Sequence, residues 1–238
     1  MQKLENKTAL ITGGSKGIGY GIAEVLMREK MRVAITSRTQ KDAEDAAAKL
    51  NQAGVGEAMG IGADVRDLES QQKAVDQVIR KWGSLDVLVA NAGIGHFGSI
   101  ESLTVSQWKE TIDTNLTGVF FSVKASLSEL KRSKGYIITI ASLAGTNFFA
   151  GGSAYSASKF GLVGFTQAMM LDVRKEGIKV STIMPGSVAS HFNHTEPGQQ
   201  DAWKIQPEDI GMIVADLLKM HPRTLPSKIE VRPSIPPK

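Results

Sequence analysis

The chain has 238 residues, of which 42% are hydrophobic and 22% charged, with a formal net charge of +4 and no cysteine. This length and ordinary composition are typical of one α/β domain and exclude an intrinsically disordered chain. The positive charge is spread along the sequence, which argues against nucleic-acid binding. Without cysteine, the chain can form no disulfide, thiolate metal site or cysteine nucleophile.

The sequence predicts a soluble cytoplasmic protein with no membrane segment and no metal site. The N-terminal segment MQKLENKTALITGG holds too short an apolar run for a signal peptide. Nowhere is there an apolar run long enough to span a membrane. The histidines do not have metal-site spacing on a helix; they are His96, His191, His194 and His221.

Short runs rich in Val, Ile and Ala alternate with amphipathic segments along the chain. This alternation predicts βαβ units and a parallel sheet covered by helices on both faces. After the first run, Ile18, Ile22 and Leu26 recur at helical spacing and predict the first helix. All prolines lie from Pro185 onward and no linker is evident, so residues 1–238 are predicted to form a single domain. The predicted strands are 9–12, 32–36, 58–63, 85–90, 136–141, 180–184 and 228–231.

A glycine-rich turn connects the first predicted strand to the first predicted helix. Glycine lets the backbone turn sharply and approach a ligand, and a helix N-terminus offers free N–H groups to a pyrophosphate. A tight turn without a ligand needs glycine too, but strand, turn and helix in this order favour a dinucleotide site. The spacing of Gly13, Gly17 and Gly19 is G-x-x-x-G-x-G rather than the usual G-x-G-x-x-G.

The segment IASLAGTNFFAGGSAYSASK contains three side chains suited to proton transfer. Tyr155 and Lys159 are four residues apart, so on a helix they share one face. A free phenol has a pKa near ~10, and an adjacent ammonium is expected to lower the pKa of Tyr155. Ser142 follows a predicted buried strand, from which its hydroxyl would donate to a carbonyl oxygen in front of Tyr155. The alternative for a lone Y-x-x-x-K pair is a solvated lysine beside a half-buried ring.

Together these motifs resemble the short-chain dehydrogenase/reductase family over nearly the whole chain, and within it most resemble the 3-oxoacyl-carrier-protein reductases. The resemblance implies a single Rossmann-type doubly wound α/β domain with a seven-stranded parallel sheet and helices on both faces. The motifs stand in the family's order and at its separations: Thr12 to Gly19, Asn91-Ala92-Gly93, Asn115, Ser142, Tyr155, Lys159 and Pro185-Gly186.

The resemblance also implies a nicotinamide cofactor. Its pyrophosphate would lie on the glycine turn, its adenine beside Asp64 and Val65, and its carboxamide near Ser190, where the family usually has threonine. Ala90 replaces an asparagine that is frequent in the family. The residues implied to bind the cofactor are Thr12, Gly13, Ser15, Lys16, Gly17, Ile18, Gly19, Ser37, Arg38, Asp64, Val65, Asn91, Ala92, Gly93, Tyr155, Lys159, Pro185, Gly186, Val188 and Ser190.

The end of the second predicted strand favours NADP(H) over NAD(H). NAD sites place an acidic side chain there for the ribose 2′-hydroxyl, whereas NADP sites use arginine for the 2′-phosphate. This chain has Ser37 and Arg38 at that point and no acid, and Lys16 would complete the phosphate site. The alternative is that Arg38 is an ordinary surface residue.

By resemblance, the catalytic residues are Asn115, Ser142, Tyr155 and Lys159. Ser142 and Tyr155 would donate to the oxygen of a ketone while hydride reaches its carbon, and Tyr155 would supply the proton. Lys159 would stabilise the phenolate and bind the nicotinamide ribose, and Asn115 would hold a water behind it. The alternative is a cofactor-binding regulator or scaffold without turnover, but the presence of all four residues favours an enzyme.

The substrate is predicted to be a 3-oxoacyl thioester or a comparable uncharged ketone, with a pterin, sugar or steroid ketone as alternatives. A mobile lid is expected at about 187–205. An acidic acyl carrier protein is a possible partner, although the basic residues that would meet it also suit the helix dipole. The predicted pocket residues are Phe97, Phe148, Phe149, Phe192 and Trp203, and the predicted basic rim is Arg132, Arg174 and Lys175.

A homo-oligomer, either a tetramer or a dimer, is predicted. In the family, the helices that carry Asn115 and Tyr155 pack against their copies in a neighbouring subunit. A mixed apolar and small surface recurs at helical spacing after Tyr155, although a purely internal core face would give the same pattern. Its residues are Phe160, Val163, Gly164, Gln167 and Leu171.

Overall fold

The computed structural model describes residues 2–52, 56–192 and 195–235. Strands and helices alternate along the chain, and each predicted strand is confirmed to within two residues at either end. The strands are β1 (Thr8–Ile11), β2 (Arg32–Ser37), β3 (Glu57–Gly62), β4 (Val87–Ala90), β5 (Tyr136–Ile140), β6 (Lys179–Pro185) and β7 (Lys228–Val231). The α-helices are α1 (Gly17–Arg28), α2 (Gln40–Gln52), α3 (Leu68–Trp82), α4 (Val105–Ile112), α5 (Gly118–Ser133), α6 (Ser153–Val173) and α7 (Pro207–Lys219).

The seven strands form one parallel sheet in the order β3-β2-β1-β4-β5-β6-β7. The predicted doubly wound α/β fold is therefore confirmed. The strand order reverses between β1 and β4, where Ile11 lies opposite Val89. Ligands of such sheets bind at the carboxyl ends of the strands, next to this reversal.

Each strand contributes to two hydrophobic cores, one on each face of the sheet. Because side chains alternate along a strand, Ala9 and Ile11 of β1 pack in one core and Leu10 packs in the other. The first core is closed by α1, α2 and α7, and the second by α3, α5 and α6. Strands buried on both faces explain the nearly continuous apolar runs of the sequence.

Helices α4 and α5 are joined by a π-helical turn, Asp113–Thr117. The sequence predicts a continuous helix around Asn115, and the wider turn is a local departure from it. Among the helices of the described residues, none combines the length and the hydropathy that crossing a bilayer requires.

Candidate active site

The glycine turn after β1 leaves the start of α1 open to a ligand. Gly13 and Gly17 have φ of 63° and 59°, which side chains other than glycine rarely adopt. A Cβ added at Gly13 would lie 2.9 Å from the Cα of Ala92, and one at Gly17 would lie 3.3 Å from the Cβ of Ser190. The side chain of Lys16 does not cap the helix. The backbone N–H groups of the first turn therefore fit a pyrophosphate.

Thr12 and Asn91 fix the shape of this turn. The Thr12 hydroxyl accepts hydrogen bonds from the N–H groups of Asn91 (3.0 Å) and Ala92 (3.1 Å). The Asn91 amide donates to the carbonyls of Thr12 (2.9 Å) and Gly13 (3.0 Å). The side chain of Asn91, predicted to line the cofactor, thus holds the two loops at the strand reversal together.

The end of β2 is basic and polar, as expected of a 2′-phosphate site. Ser37 is half-buried, with its Oγ 3.3 Å from the Oγ of Ser15, while Lys16 and Arg38 are exposed at the rim. The contact between Ser15 and Ser37 brings the glycine turn next to the end of β2, and the 2′-phosphate site stays a prediction.

Asp64 and Val65 follow β3 at the predicted adenine end. The Asp64 carboxylate accepts bonds from Nε (3.1 Å) and Nη2 (2.7 Å) of Arg66, a residue that the sequence analysis missed. Hydrogen bonding from Arg66, with a smaller contribution from Arg38, lowers the pKa of Asp64, so this carboxylate stays ionised. Val65 is buried against Gly118 at the start of α5.

Tyr155 and Lys159 lie on one face of α6, as predicted. The Nζ atom of Lys159 is 5.7 Å from the centroid of the Tyr155 ring and donates to the carbonyl of Ile140 (3.0 Å). The lysine is only 4% exposed. Burial lowers its pKa from 10.5 to about 8. Ser142 follows β5, and its Oγ accepts from the N–H of Ala144 (3.1 Å) in a short 3₁₀ turn.

Asn115 joins the site to the loop after β4. Its Oδ1 accepts from the N–H of Ile94 (2.8 Å), and its Nδ2 donates to the carbonyl of Ile94 (2.9 Å) and to Oγ of Ser158 (3.0 Å). Ser158 in turn donates to the carbonyl of Tyr155 (2.7 Å). Asn115 and Ser158 are completely buried. The only sequence signal for Ser158 is its position directly before Lys159.

The pKa of Tyr155 is raised in this structure and not lowered, so the predicted net lowering is wrong. Burial raises the pKa of Tyr155, and the Ser142 hydroxyl lowers it by less. The rings of Phe97 and Phe192 pack around the phenol, with centroids 5.4 and 5.5 Å from its own. Burial disfavours the charged phenolate, so Tyr155 is kept as the phenol, the form that donates a proton.

The predicted pocket residues divide into two groups. Phe97, Phe149 and Phe192 lie together near Tyr155. Phe148 is 86% exposed, and the contact found for Trp203 is with the ammonium of Lys204, so neither takes part in this ring cluster.

The predicted lid leaves the sheet at the end of β6. Gly186 donates to the carbonyl of Val231 in β7 (2.8 Å), and Val188 forms a parallel bridge with Ile205. The two ends of the segment are therefore held side by side, with Ser190 against the glycine turn. Residues 193 and 194, including His194, lie outside the described residues, and the mobility of the lid stays a prediction.

The predicted basic rim lies at the edge of the sheet opposite the site. Arg132 lies in the last turn of α5, before β5 begins, and Arg174 and Lys175 follow α6, before β6 begins. Ser142 follows the other end of β5, and Pro185 is the last residue of β6, roughly 15 Å away at about 3.3 Å per residue. The three basic residues therefore do not line the site of their own chain, and docking of a carrier protein stays a prediction.

The predicted association surface on α6 is only partly exposed. Phe160 and Leu171 are 42% and 53% exposed, and the space beside Gly164 is open. Val163 packs against the core, and Gln167 donates to the carbonyl of Ser227 (3.0 Å). Both residues are half-buried, so their part in an association surface stays a prediction.

The family model of the short chain dehydrogenases matches residues 7–201. The chain therefore belongs to this family, as the sequence motifs predict. It is an oxidoreductase of the class that uses a nicotinamide cofactor.

Similar proteins differ in the substrates that their names state. The putative ketoacyl reductase of Streptomyces coelicolor is 36% identical over 220 residues, which cover 88% of this chain and 81% of the relative. The sepiapterin reductase of Chlorobaculum tepidum is 32% identical over 233 residues, covering 94% and 95%. The alcohol dehydrogenase of Thermococcus sibiricus, solved in complex with 5-hydroxy-NADP, superposes with a TM-score of 0.91 at 29% identity, covering 98% and 100%.

The buried ammonium of Lys159 makes stability depend on pH. Between pH 8 and pH 10.5 the unfolded chain keeps a proton that the folded chain has lost, so the free energy of unfolding rises with pH in this window. Below pH 8, the buried charge of Lys159 lowers the free energy of unfolding by about 3 kcal/mol. From pH 7 to pH 10.5, wild type should therefore gain up to about 3 kcal/mol relative to Lys159→Met.

Urea unfolding of both proteins at the two pH values measures this change. Groups that titrate in both proteins contribute equally to both, so they cancel in the difference. A loss of stability in Lys159→Met that is the same at each pH also cancels. If the difference in free energy of unfolding between the two proteins does not vary with pH, burial of the Lys159 ammonium does not destabilise the fold.

Proposed function

We propose that the protein is an NADPH-dependent reductase that converts an uncharged ketone to a secondary alcohol. The observation that carries this proposal is the meeting of Ser142, Tyr155 and Lys159 at the carboxyl edge of the sheet, beside the open glycine turn. When bound there, the cofactor would supply hydride to the ketone carbon.

The protein's own groups would manage the proton. The hydroxyls of Ser142 and Tyr155 donate to the ketone oxygen and stabilise the negative charge that develops on it. Tyr155 then transfers its proton to that oxygen, which completes the alcohol. The ammonium of Lys159 stabilises the phenolate that remains. In alcohol oxidation the same groups act in reverse, with Tyr155 as the base.

Asn115 would act by holding neighbouring groups in place. Its amide hydrogens are both used, by Ile94 and Ser158. A water behind Lys159, as predicted from the family, would therefore rest on the main chain of Asn115 rather than on its amide hydrogens. Such a water would return a proton to Tyr155 through Lys159.

A 3-oxoacyl thioester is the first candidate substrate, supported by the ketoacyl reductase among the relatives. An acyl carrier protein remains a proposed partner, but at the site of the same chain it would have to dock without the basic residues at the far edge of the sheet. The sepiapterin reductase among the relatives supports a pterin ketone as the second candidate. A cytoplasmic location is part of the same proposal.

Turnover of NADPH with a panel of ketones tests the activity, and Tyr155→Phe tests the mechanism. Wild type should consume NADPH with at least one acetoacetyl thioester, pterin, sugar or steroid ketone. Tyr155→Phe should lose nearly all of kcat, because it cannot donate the proton, while NADPH binding measured by fluorescence stays close to wild type. Lys159→Ala should lower both kcat and the affinity for NADPH.

Two results would contradict these expectations. If none of the ketones supports NADPH consumption, the protein is better explained as a cofactor-binding scaffold than as an enzyme. A Tyr155→Phe variant within tenfold of wild type would remove Tyr155 as the proton donor.

Arg38 should determine the choice of cofactor. We expect NADPH to be preferred over NADH by at least about tenfold in kcat/KM, or about 1.4 kcal/mol, because an arginine fork binds the 2′-phosphate. Arg38→Ala should lose most of this preference, whereas Arg28→Ala, an exposed arginine at the far end of α1, should keep it. Equal use of the two cofactors by wild type, or a preference that survives in Arg38→Ala, would argue against this assignment.

We expect the exposed apolar surface of α5 and α6 to be buried by association with another copy of the chain. Phe120 of α5 is 42% exposed and lies beside Phe165 of α6, with centroids 6.2 Å apart, which extends the surface of Phe160 and Leu171. Light scattering at micromolar concentration should show a dimer or tetramer. Leu171→Glu should weaken this association, whereas Met212→Glu, a change on the exposed side of α7, should not. A wild-type monomer would refute self-association.

A further inference from the structure

Three phenylalanine rings meet beside the proposed proton donor. The centroids of Phe97 and Phe192 are 5.4 and 5.5 Å from that of Tyr155, and 6.2 Å from each other. Phe149 joins them through Phe97, at 6.0 Å. We call Phe97, Phe149 and Phe192 the phenyl wall.

The backbone around the phenyl wall is shaped to admit these rings. A Cβ added at Gly95 would lie 2.7 Å from Phe192 and 2.8 Å from Phe97. A Cβ added at Gly152 would lie 2.6 Å from the ring of Phe149. All three rings therefore occupy space over glycine backbone that a Cβ atom would take up.

Two loops hold the wall together. Phe97 lies on the loop between β4 and α4, and Phe149 lies on the loop that leads into α6. The N–H of Gly98 donates to the carbonyl of Gly151 (2.9 Å) and joins the two loops directly. This part of the wall is thus fixed by hydrogen-bonded backbone next to Tyr155, and only Phe192 depends on the predicted lid.

The wall presents exposed apolar surface, and the ionisable neighbour of Phe97 is paired. Phe97 and Phe149 are 42% and 50% exposed. His96, the neighbour of Phe97, is bonded through Nε2 to the carboxylate of Glu110 at 2.9 Å. Aromatic surface left open beside a proton donor is suited to an apolar group of the substrate.

We infer that the phenyl wall binds the substituent on the ketone carbon and favours an aromatic ring over an alkyl group of the same size. The inference rests on the proposed ketone reductase function. Aromatic pairs in edge-to-face or offset contact attract each other beyond the area that they bury. An aryl substituent gains such contacts with Phe97 and Phe149, whereas a saturated ring of equal size gains only burial.

A pair of ketones with matched shapes tests the inference. The value of kcat/KM is measured with NADPH for acetophenone and for cyclohexyl methyl ketone, in wild type, Phe97→Leu and Phe149→Leu. The two ketones differ in intrinsic reactivity, but this difference is common to all the proteins and cancels when their ratios are compared. The ratio of aryl to cyclohexyl ketone should fall roughly two- to tenfold in each leucine variant.

Phe148→Leu is the matched control, because Phe148 precedes Phe149 directly and is 86% exposed. Its ratio should equal that of wild type. A ratio unchanged in both Phe97→Leu and Phe149→Leu, or changed equally in Phe148→Leu, would overturn the inference while ketone reduction stands. The same holds if wild type reduces other ketones but neither member of the pair. If no ketone of any kind supports NADPH consumption, the proposed function is overturned instead.

Discussion

The burial of one ammonium group is the constraint on which the candidate site depends. Lys159 is charged at neutral pH although it is almost completely buried, and one carbonyl at the end of β5 accepts its hydrogen bond. Such a group stays buried and charged only where the rest of the fold offsets the cost of removing it from water. The parallel sheet and the long helix α6 supply this stability, so the fold holds a charge where the proposed chemistry needs it.

A second group of buried polar contacts links elements that are distant in sequence. Asn115, Ser158, the backbone of Ile94 and the carbonyl of Tyr155 form one connected set between the loop after β4, the π-helical turn and α6. Each amide hydrogen of Asn115 has a partner. Because partly satisfied buried networks are unstable, this set fixes the relative positions of the three elements. The π-helical turn is a local irregularity of the kind often found at functional sites.

Much of the fold and the proton-transfer group could be predicted from the sequence, since hydrophobic periodicity and an i, i+4 pair are local signals. The contacts of Ile94 and Ile140 could not, because they use backbone groups that have no side-chain signature. The sequence does not distinguish Phe148 from Phe149, because neighbouring residues of a loop can face different surroundings. Nor does it indicate the raised pKa of Tyr155, because burial by rings from two distant segments is a tertiary effect.

The dependence of the site on backbone groups has an evolutionary consequence. Ile94 and Ile140 contribute a carbonyl or an N–H group, so their side chains can be exchanged without altering those hydrogen bonds. The rings that contact Tyr155 belong to side chains, which can change while these backbone groups stay in place. Substrate choice can therefore change in evolution while the proton-transfer groups are kept. Members of one family, such as a ketoacyl reductase and a sepiapterin reductase, can thus share a reaction and act on unrelated molecules.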